Sequence, residues 1–366
     1  MGFKCGIVGL PNVGKSTLFN ALSDAAKAET GNFPFCTIEP NTGRVPVPDS
    51  ELETLARVAR SATVVPTALE VMDIAGLVRG ASKGEGLGNQ FLQHIREVDA
   101  ILHLVRCFED DQISHVEGPT NPVRDIDLVE TELLLADLES VERQSEGVIK
   151  RARSGDKDAK ELHPLIERVL ACLRDGKPVR CLNITPVDQP KLKMLHLLSD
   201  KPVLYICNVD ERSAATGNVM SDAVVAHAAE EYAETVIVSA AIEAEITALG
   251  EPEEKRAFLD DLGIETAGLE RVIHAGHKVL GLIRFFTAGP KEARAWTIAK
   301  GTRARETAGK IHSDMARGFI CAETISFVDY VEAGGEAAAK AAGKMRQEGA
   351  EYEVAENDVI LFRFNV

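Results

Sequence analysis

The residues with the clearest chemical pattern lie near the start of the chain, at positions 9–17. Their letters, GLPNVGKST, match the phosphate-binding pattern G-x-x-x-x-G-K-[ST]. An apolar, strand-like run precedes them at residues 5–8, and a helix-like run follows at residues 17–22. Glycines let a backbone wrap closely around a phosphate, and the N–H groups at a helix N-terminus attract negative charge. The segment therefore predicts a P-loop that binds a nucleoside triphosphate.

Phosphate-transfer chemistry predicts a role for each residue of this loop. Lys15 is expected to reach the β- and γ-phosphates as a catalytic charge, and the Ser16 hydroxyl is expected to ligate Mg²⁺. The residues predicted to contact the nucleotide here are Asn12, Val13, Gly14, Lys15, Ser16 and Thr17.

Further parts of a GTPase-type site follow in the expected order. Asp73 to Gly76 reads D-x-x-G at a strand end, so Asp73 is expected to hold Mg²⁺ through a water and the Gly76 N–H to meet the γ-phosphate. Thr37 lies where a switch threonine would bind Mg²⁺, although a structural threonine fits its spacing almost as well. The glycine-rich residues 80–88 predict a loop that responds to the γ-phosphate.

The segment expected to read the base departs from the GTPase pattern N-K-x-D. Here it reads Asn208-Val209-Asp210-Glu211, so valine replaces the lysine and glutamate replaces the aspartate that takes two guanine donors. Adenine offers no such donor pair, so we expect Glu211 to point away from the base and Val209 to pack on it. Ser239 and Ala240 fit the loop behind the base. This predicts weak guanine preference and permits ATP.

The elements that must position these residues alternate between strand-like and helix-like runs. Short apolar runs at residues 69–74, 100–105, 202–207 and 235–238 are typical of a parallel sheet covered on both faces. They predict one doubly wound α/β domain.

Two helical patterns interrupt this alternation from about residue 126. They are joined by a polar turn at residues 153–157 and predict an inserted αα-hairpin. The tip of this hairpin is basic and is a candidate binding surface, although such a run can also be an ordinary solvated helix end. Its basic residues are Lys150, Arg151, Arg153, Lys157 and Lys160.

The pattern changes again from about residue 280. Strand-like runs at residues 283–287, 295–298, 325–327 and 359–364 predict a small mixed sheet, and residues 310–315 predict a helix across it. Residues 291–317 carry seven basic and three acidic residues, which makes a second basic patch.

Composition restricts the classes of partner. The chain of 366 residues carries a formal net charge of −16, so membrane and DNA are not expected partners and any ribosome or RNA contact must be local. The seven cysteines form no C-x-x-C pair, which favours buried reduced thiols in a cytoplasmic protein. A strand-like run so near the first residue leads us to expect no signal peptide.

Taken together, several motifs resemble the YchF / Obg-like ATPase family. The resemblance covers essentially the whole chain and is carried by residues 9–17, 33–43, 73–77, 80–91, 208–211, 295–298 and 309–312. It implies an α/β fold with a P-loop G domain, an inserted helical hairpin and a C-terminal β-grasp domain of the TGS type. The G domain would then comprise residues 1–125 and 185–279, the inserted hairpin residues 126–184, and the β-grasp domain residues 280–366.

The resemblance also implies an activity and a partner. It implies a Mg²⁺-dependent ATPase that associates with ribosomes, which we expect to involve the large subunit. Leu77 stands where Ras-like proteins carry the water-positioning glutamine, so the loop histidine His115 is implied as the group that orients water, and a surface histidine is the alternative. His94 and His103 are weaker candidates, and His103 is expected to be buried in a strand.

Two other functions fit parts of the pattern. One is a conventional GTPase, which Asn208 and Asp73 favour but Val209 and Glu211 do not. The other is a nucleotide-sensing adaptor with negligible turnover. ATP and GTP affinities separate the first alternative from an ATPase, and hydrolysis with and without ribosomes separates the second.

Overall fold

The computed structural model describes residues 3–29, 42–74, 87–110 and 118–365. The strands in these residues are β1 (Lys4–Val8), β2 (Thr42–Pro46), β3 (Thr63–Val65), β4 (Ala68–Asp73), β5 (Ala100–Arg106), β6 (Val203–Asn208), β7 (Glu234–Val238), β8 (Leu282–Ala288), β9 (Glu292–Ala299), β10 (Phe319–Ser326), β11 (Arg346–Glu348) and β12 (Asp358–Phe364). The helices are α1 (Lys15–Glu29), α2 (Ser50–Ala59), α3 (Leu87–Glu97), α4 (Pro122–Arg153), α5 (Lys157–Arg174), α6 (Gln189–Lys193), α7 (Val219–Glu230), α8 (Ala240–Ala248), α9 (Pro252–Asp261), α10 (Gly268–Val279), α11 (Ala304–Ile311), α12 (Ser313–Arg317), α13 (Phe327–Ala333) and α14 (Glu336–Ala341).

These elements divide into two compact units. The first unit contains the described residues of 1–28, 37–44 and 70–276. The second contains the described residues of 29–36, 45–69 and 277–366.

The sheet of the first unit has the strand order β2-β4-β1-β5-β6-β7. Strand β1 pairs in parallel with β4 on one side and with β5 on the other, and β5–β6 and β6–β7 are also parallel. The chain therefore reverses its direction of winding at β1, and the carboxyl end of a strand at such a switch point is where α/β sheets bind ligands. This confirms the doubly wound fold and places the P-loop, which follows β1, at the switch point.

The central strands form because their sequences are continuously apolar. Every residue of β5 and β6 is buried, which is the pattern of a parallel strand covered by helices on both faces. The predicted apolar runs all fall on strands of this sheet, so these predictions are confirmed.

A helical hairpin is inserted between β5 and β6. Asn121 caps α4 by accepting a hydrogen bond from the Arg124 N–H, with Pro122 in the first helical turn. Asp156 caps α5 through the Ala159 N–H, and Gly155 between the helices has a φ of 98°. The two helices bury a shared apolar cluster that includes Val141, Val148, Leu165, Ile166, Val169, Leu170 and Leu173. The predicted hairpin is therefore confirmed.

The second unit contains a mixed sheet with the order β11-β10-β12-β8-β9-β3. Pairs β10–β11, β10–β12 and β8–β9 are antiparallel, whereas β12–β8 and β3–β9 are parallel. One apolar cluster packs Phe285, Ile298 and Phe362 with α11. A second cluster packs Phe286 and Ile325 with α2 and α13.

Residues 45–69 belong to the second unit, whereas the sequence analysis placed them in the nucleotide-binding domain. Strand β3 pairs with β9, and Leu52 and Leu55 of α2 are fully buried in the second cluster. An ion pair of 2.9 Å joins Arg284 to Asp49, the residue that caps α2. The assignment depends on pairing between segments more than 200 residues apart, which no local pattern reveals.

Three local predictions were wrong in detail. The helix predicted at residues 310–315 is broken at His312, whose extended backbone separates α11 from α12 and whose Nδ1 accepts from the Asp314 N–H at 3.2 Å. The strand predicted at residues 325–327 ends at Ser326, which caps α13. The described cysteines are free thiols, but Cys181 is exposed rather than buried. Within the described ranges, no helix is both long and apolar enough to cross a membrane.

Candidate nucleotide site

The P-loop connects β1 to α1 at the switch point of the first sheet. Gly14 has a φ of 97°, and Asn12 has a φ of 62°, so the loop uses left-handed backbone at two places. A Cβ at Gly9 would collide with the Leu104 carbonyl oxygen, and one at Gly14 would lie 2.6 Å from Asn208 Nδ2. The loop therefore needs glycine at these two positions to pass so closely beside β5 and β6.

Lys15 folds over the carbonyl groups of its own loop. Its Nζ donates hydrogen bonds to Gly9 O at 3.0 Å and Leu10 O at 2.8 Å. Burial lowers the pKa of Lys15, and the nearby Asp73 carboxylate opposes this shift. The ammonium group is thus held above the loop where phosphates would lie.

Ser16 and Asp73 bring two oxygen ligands together from different elements. Ser16 Oγ lies 3.5 Å from Asp73 Oδ2, at the start of α1 and the end of β4. Burial raises the pKa of Asp73, while Lys15 and the Ser16 hydroxyl act to lower it. The pairing is consistent with the predicted metal-ligand role of both side chains, since Mg²⁺ prefers hard oxygen ligands.

Asn208 links three segments of the site. Its Nδ2 donates to Val13 O at 2.9 Å, and its Oδ1 accepts from the Ala240 N–H at 2.9 Å. The residue is buried at the end of β6, beside Arg106 of β5 in the parallel register. The P-loop, the end of β6 and the segment behind the predicted base position are therefore held as one structure.

A cavity of about 500 Å³ extends from the P-loop to these segments. Its lining residues are Gly14, Thr17, Phe108, Glu109, Asp110, Asn208, Val209, Asp210, Glu211, Arg212, Ser239, Ala240 and Ala241. A volume of this order suits a small-molecule ligand.

The predicted base-reading residues lie in this lining. Val209 is only 2% exposed, and its N–H donates to Val238 O at 2.8 Å. Glu211 is exposed and begins a 3₁₀ turn that Asp210 caps. Glu211 therefore forms part of the cavity wall, and its orientation relative to a bound base stays a prediction.

Ser239 offers an unused polar atom to a ligand. Ser239 lines the cavity, and its buried Oγ has no hydrogen-bond partner among the described residues. A buried hydroxyl without a partner is costly, so a bound molecule that supplies one would be favoured here.

Sequence reasoning missed one wall of the cavity. Phe108, Glu109 and Asp110 follow β5 after one intervening residue, Cys107, and no motif marked them. The signal that could have found them is topological, because β5 lies between β1 and β6 and its carboxyl end must open onto the same site.

Several predicted site residues lie outside the described residues or outside the site. Thr37, Gly76, Leu77, His115 and most of the glycine-rich loop at 80–88 lie in undescribed segments. His103 is buried in β5, as expected, and burial lowers its pKa to about 3. His94 is half-buried in α3.

Comparison with known families matches most of the chain. Residues 4–136 match a family described as "50S ribosome-binding GTPase". Residues 282–365 match the family YchF-GTPase_C, described as a protein of unknown function.

Similar proteins align over the full length. The chain is 53% identical over 366 residues to a protein of Escherichia coli O157:H7 named "Ribosome-binding ATPase YchF", and each chain is covered completely. A protein of the same name from Bacillus subtilis is 51% identical over 368 residues, again with complete coverage of both.

A solved structure supports the same relationship at the level of the fold. The Schizosaccharomyces pombe YchF GTPase has a TM-score of 0.90 and 37% identity, with 99% of this chain and 98% of that chain covered. The fold with a P-loop GTPase domain and a sheet-containing C-terminal domain is thereby confirmed. On these full-length similarities, the chain belongs to the YchF family.

Proposed function

We propose that this protein binds ATP with Mg²⁺ in the described cavity and hydrolyses it to ADP and phosphate, as a nucleotide-dependent switch that binds ribosomes. The observation that carries the proposal is the cavity itself, which joins a complete P-loop to a base-side segment without the guanine-reading aspartate. The bacterial relatives above are named ribosome-binding ATPases, which supports both parts of the proposal.

The choice of ATP over GTP follows from the cavity wall. Asn208 already donates to Val13 O and accepts from the Ala240 N–H, so its amide helps to hold the site together. Glu211 stands in place of the aspartate, and its longer side chain is misplaced for the paired donors of guanine. Val209 presents an apolar side chain that either purine can contact. These three residues therefore do not favour guanine over adenine, as the corresponding residues of a conventional GTPase would.

The donor set at the P-loop fits Mg²⁺. Ser16 supplies a hydroxyl and Asp73 a carboxylate, and Ser16 Oγ lies 3.5 Å from Asp73 Oδ2. Thr37 is the further predicted ligand. Among the described residues, no group of three or more His, Cys, Asp or Glu side chains could hold a metal. This agrees with Mg²⁺, which proteins usually bind through one or two side chains together with substrate phosphates. When bound, the ion would neutralise charge on the β- and γ-phosphates.

The protein residues perform the remaining tasks. The P-loop N–H groups and the start of α1 bind the phosphates, and Lys15 stabilises negative charge on the β- and γ-phosphates. The Gly76 N–H is proposed to contact the γ-phosphate. His115 is proposed to orient the attacking water, since Leu77 cannot do so.

Two basic surfaces are proposed to contact ribosomal RNA, with the large subunit as the expected partner. The hairpin tip exposes all five basic residues named above, and among the described residues only Arg151 of these five forms an ion pair, with Asp156 at 3.9 Å. In the C-terminal patch, Arg294 pairs with Glu292, Arg303 with Glu351 and Arg317 with Asp314. The hairpin tip thus keeps more of its charge available for phosphates. Binding to ribosomes would place the protein in the cytoplasm.

Calorimetric titration with ATP and GTP in Mg²⁺ tests the proposal, together with phosphate release with and without ribosomes. ATP should bind at least as tightly as GTP, and Lys15→Ala should abolish hydrolysis. Clearly tighter GTP binding would favour a conventional GTPase. Nucleotide binding with no phosphate release, even with ribosomes present, would favour a nucleotide-sensing adaptor.

A further inference from the structure

Arg106 is a buried cation whose hydrogen-bond partners Phe108 and Asp110 line the nucleotide cavity. It is the last residue of β5, and only 2% of its surface is exposed. It lies beside Asn208 in the parallel register of β5 and β6. A guanidinium group is costly to bury, so its hydrogen bonds must be well formed for the site to be stable.

The guanidinium group holds the segment that forms the missed cavity wall. Nε donates to Phe108 O at 3.1 Å, and Nη2 donates to Asp110 O at 3.2 Å. The Arg106 Cζ also lies 4.6 Å from the centroid of the Phe108 ring, within the range of a cation–π contact. One side chain therefore fixes two carbonyl groups and one ring of the wall formed by residues 108–110.

The residue between Arg106 and this wall is fixed from both sides. The Cys107 N–H donates to Asn208 O at 2.8 Å, and Cys107 O accepts from Asn218 Nδ2 at 2.8 Å. Residues 107–110 form no helix or strand of their own, so contacts with neighbouring segments, including those of Arg106 and Asn218, help to fix their conformation. Arg106 supplies contacts directly to two residues of the cavity lining, Phe108 and Asp110.

We infer that Arg106 is a positioning residue that holds the base-side wall of the cavity and thereby sets the affinity for the purine base. The inference rests on the proposed nucleotide site and extends it to a residue that does not line the cavity. Lysine cannot replace Arg106, because its single ammonium group lacks the planar fork that reaches two carbonyl groups at once.

Comparing ATP with inorganic tripolyphosphate separates positioning of the wall from general stability. Both ligands use the P-loop, but only ATP has a base that contacts the wall. We expect Arg106→Lys and Arg106→Met to weaken ATP binding by roughly tenfold, the effect of losing one or two hydrogen bonds to a charged donor. Tripolyphosphate binding, measured by calorimetry on the same proteins, should change by less than about twofold, since the P-loop is not altered.

Two matched variants complete the design. Arg180→Lys alters another buried arginine of the same unit, which pairs with Glu130 and Glu231 away from the cavity, and it should leave ATP affinity unchanged. Asn218→Asp keeps the capping oxygen for the Met220 and Ser221 N–H groups but removes the donor to Cys107 O, so it should weaken ATP binding in the same direction as Arg106→Lys.

The outcomes distinguish the inference from the proposed function. Unchanged ATP affinity in a folded Arg106→Lys protein, or an equal loss for ATP and tripolyphosphate, would overturn the inference. If Arg106→Met does not fold, Arg106→Lys and Asn218→Asp still decide the question. Failure of the unmodified protein to bind any nucleotide would instead overturn the proposed function.

Discussion

The Asn208 side chain donates a hydrogen bond to the Val13 carbonyl oxygen at 2.9 Å, across 195 residues of sequence. The same amide accepts from the Ala240 N–H, so one buried residue ties the phosphate-binding loop to the two segments on the base side of the cavity. This arrangement makes the P-loop conformation depend on β6.

Asn208→Ala should reduce both stability and nucleotide affinity. It leaves the Val13 carbonyl and the Ala240 N–H buried without a partner, each at a cost of about 1–3 kcal/mol. Urea denaturation and calorimetry with ATP would measure the two effects. Asn208→Asp keeps an acceptor for Ala240 but loses the donor to Val13, so it should also fail to restore affinity. Wild-type affinity in either variant would show that the P-loop does not depend on this residue.

Glu211→Asp combined with Val209→Lys should shift preference toward GTP, because it restores the guanine-reading pattern. Val209 is only 2% exposed, so a lysine at this position would also lower the stability of the folded protein. The single variant Glu211→Asp is therefore measured beside the double variant. The ratio of the ATP and GTP dissociation constants is the measurement. We expect roughly a tenfold change in the double variant, since a site built to hydrogen-bond a base discriminates strongly. A ratio that stays constant would contradict the role given to this segment.

His115→Ala should slow ATP hydrolysis by roughly tenfold or more while leaving ATP affinity nearly unchanged. This is the behaviour of a group that acts only in the transition state. Single-turnover phosphate release and calorimetry provide the two measurements. His163→Ala, which changes a partly exposed histidine of α5, is a control that should affect neither quantity. An unaltered rate of hydrolysis in His115→Ala would support the alternative that His115 is an ordinary surface histidine.

Buried His103 should make stability fall as the pH drops below about 6.5. Burial lowers its pKa from 6.5 to about 3, and the nearby Arg180 and His227 act in the same direction. Between these values the unfolded chain binds a proton that the native chain does not, so the free energy of unfolding increases with pH. From pH 6.5 to pH 5 the expected loss from this group is about 2 kcal/mol.

Urea denaturation at pH 7 and pH 5 measures this contribution. His103→Gln should reduce the loss of stability between these two pH values, whatever its effect on stability at pH 7. His274→Gln, which changes an exposed histidine of α10, should retain the wild-type pH dependence. A pH dependence that is the same in wild type and His103→Gln would assign the acid sensitivity to other groups.

Charge reversal of Lys150, Arg151 and Arg153 to glutamate should weaken ribosome co-sedimentation and flatten its dependence on salt. Each lost phosphate contact lowers the salt slope by about one. Hydrolysis by the isolated protein should be unchanged, because these residues lie at the far end of α4 from the sheet. Reversal of Lys291, Lys300 and Lys310, which have no ion-pair partner among the described residues, tests the C-terminal patch in the same assay. Undiminished ribosome binding with an unchanged salt slope would show that the reversed patch does not contact the ribosome.

Much of the first unit could be predicted because its patterns are local. The P-loop letters, the apolar runs of β5 and β6 and the two helical periods of the hairpin each depend on neighbouring residues only. A strand buried on both faces must be apolar throughout, and a helix that packs on one side must repeat its apolar residues every three to four positions. These requirements are visible in a sequence without knowledge of its partners.

The sequence by itself determined the P-loop, the departure from the guanine-reading pattern and the inserted helical hairpin. Only the tertiary structure decided that residues 45–69 join the second unit and that Arg106 holds residues 108–110, which line the nucleotide cavity. The physical reason is that both facts depend on pairing between distant segments. Strand β3 pairs with β9 by backbone hydrogen bonds, and residues 108–110 reach the cavity because β5 lies between β1 and β6.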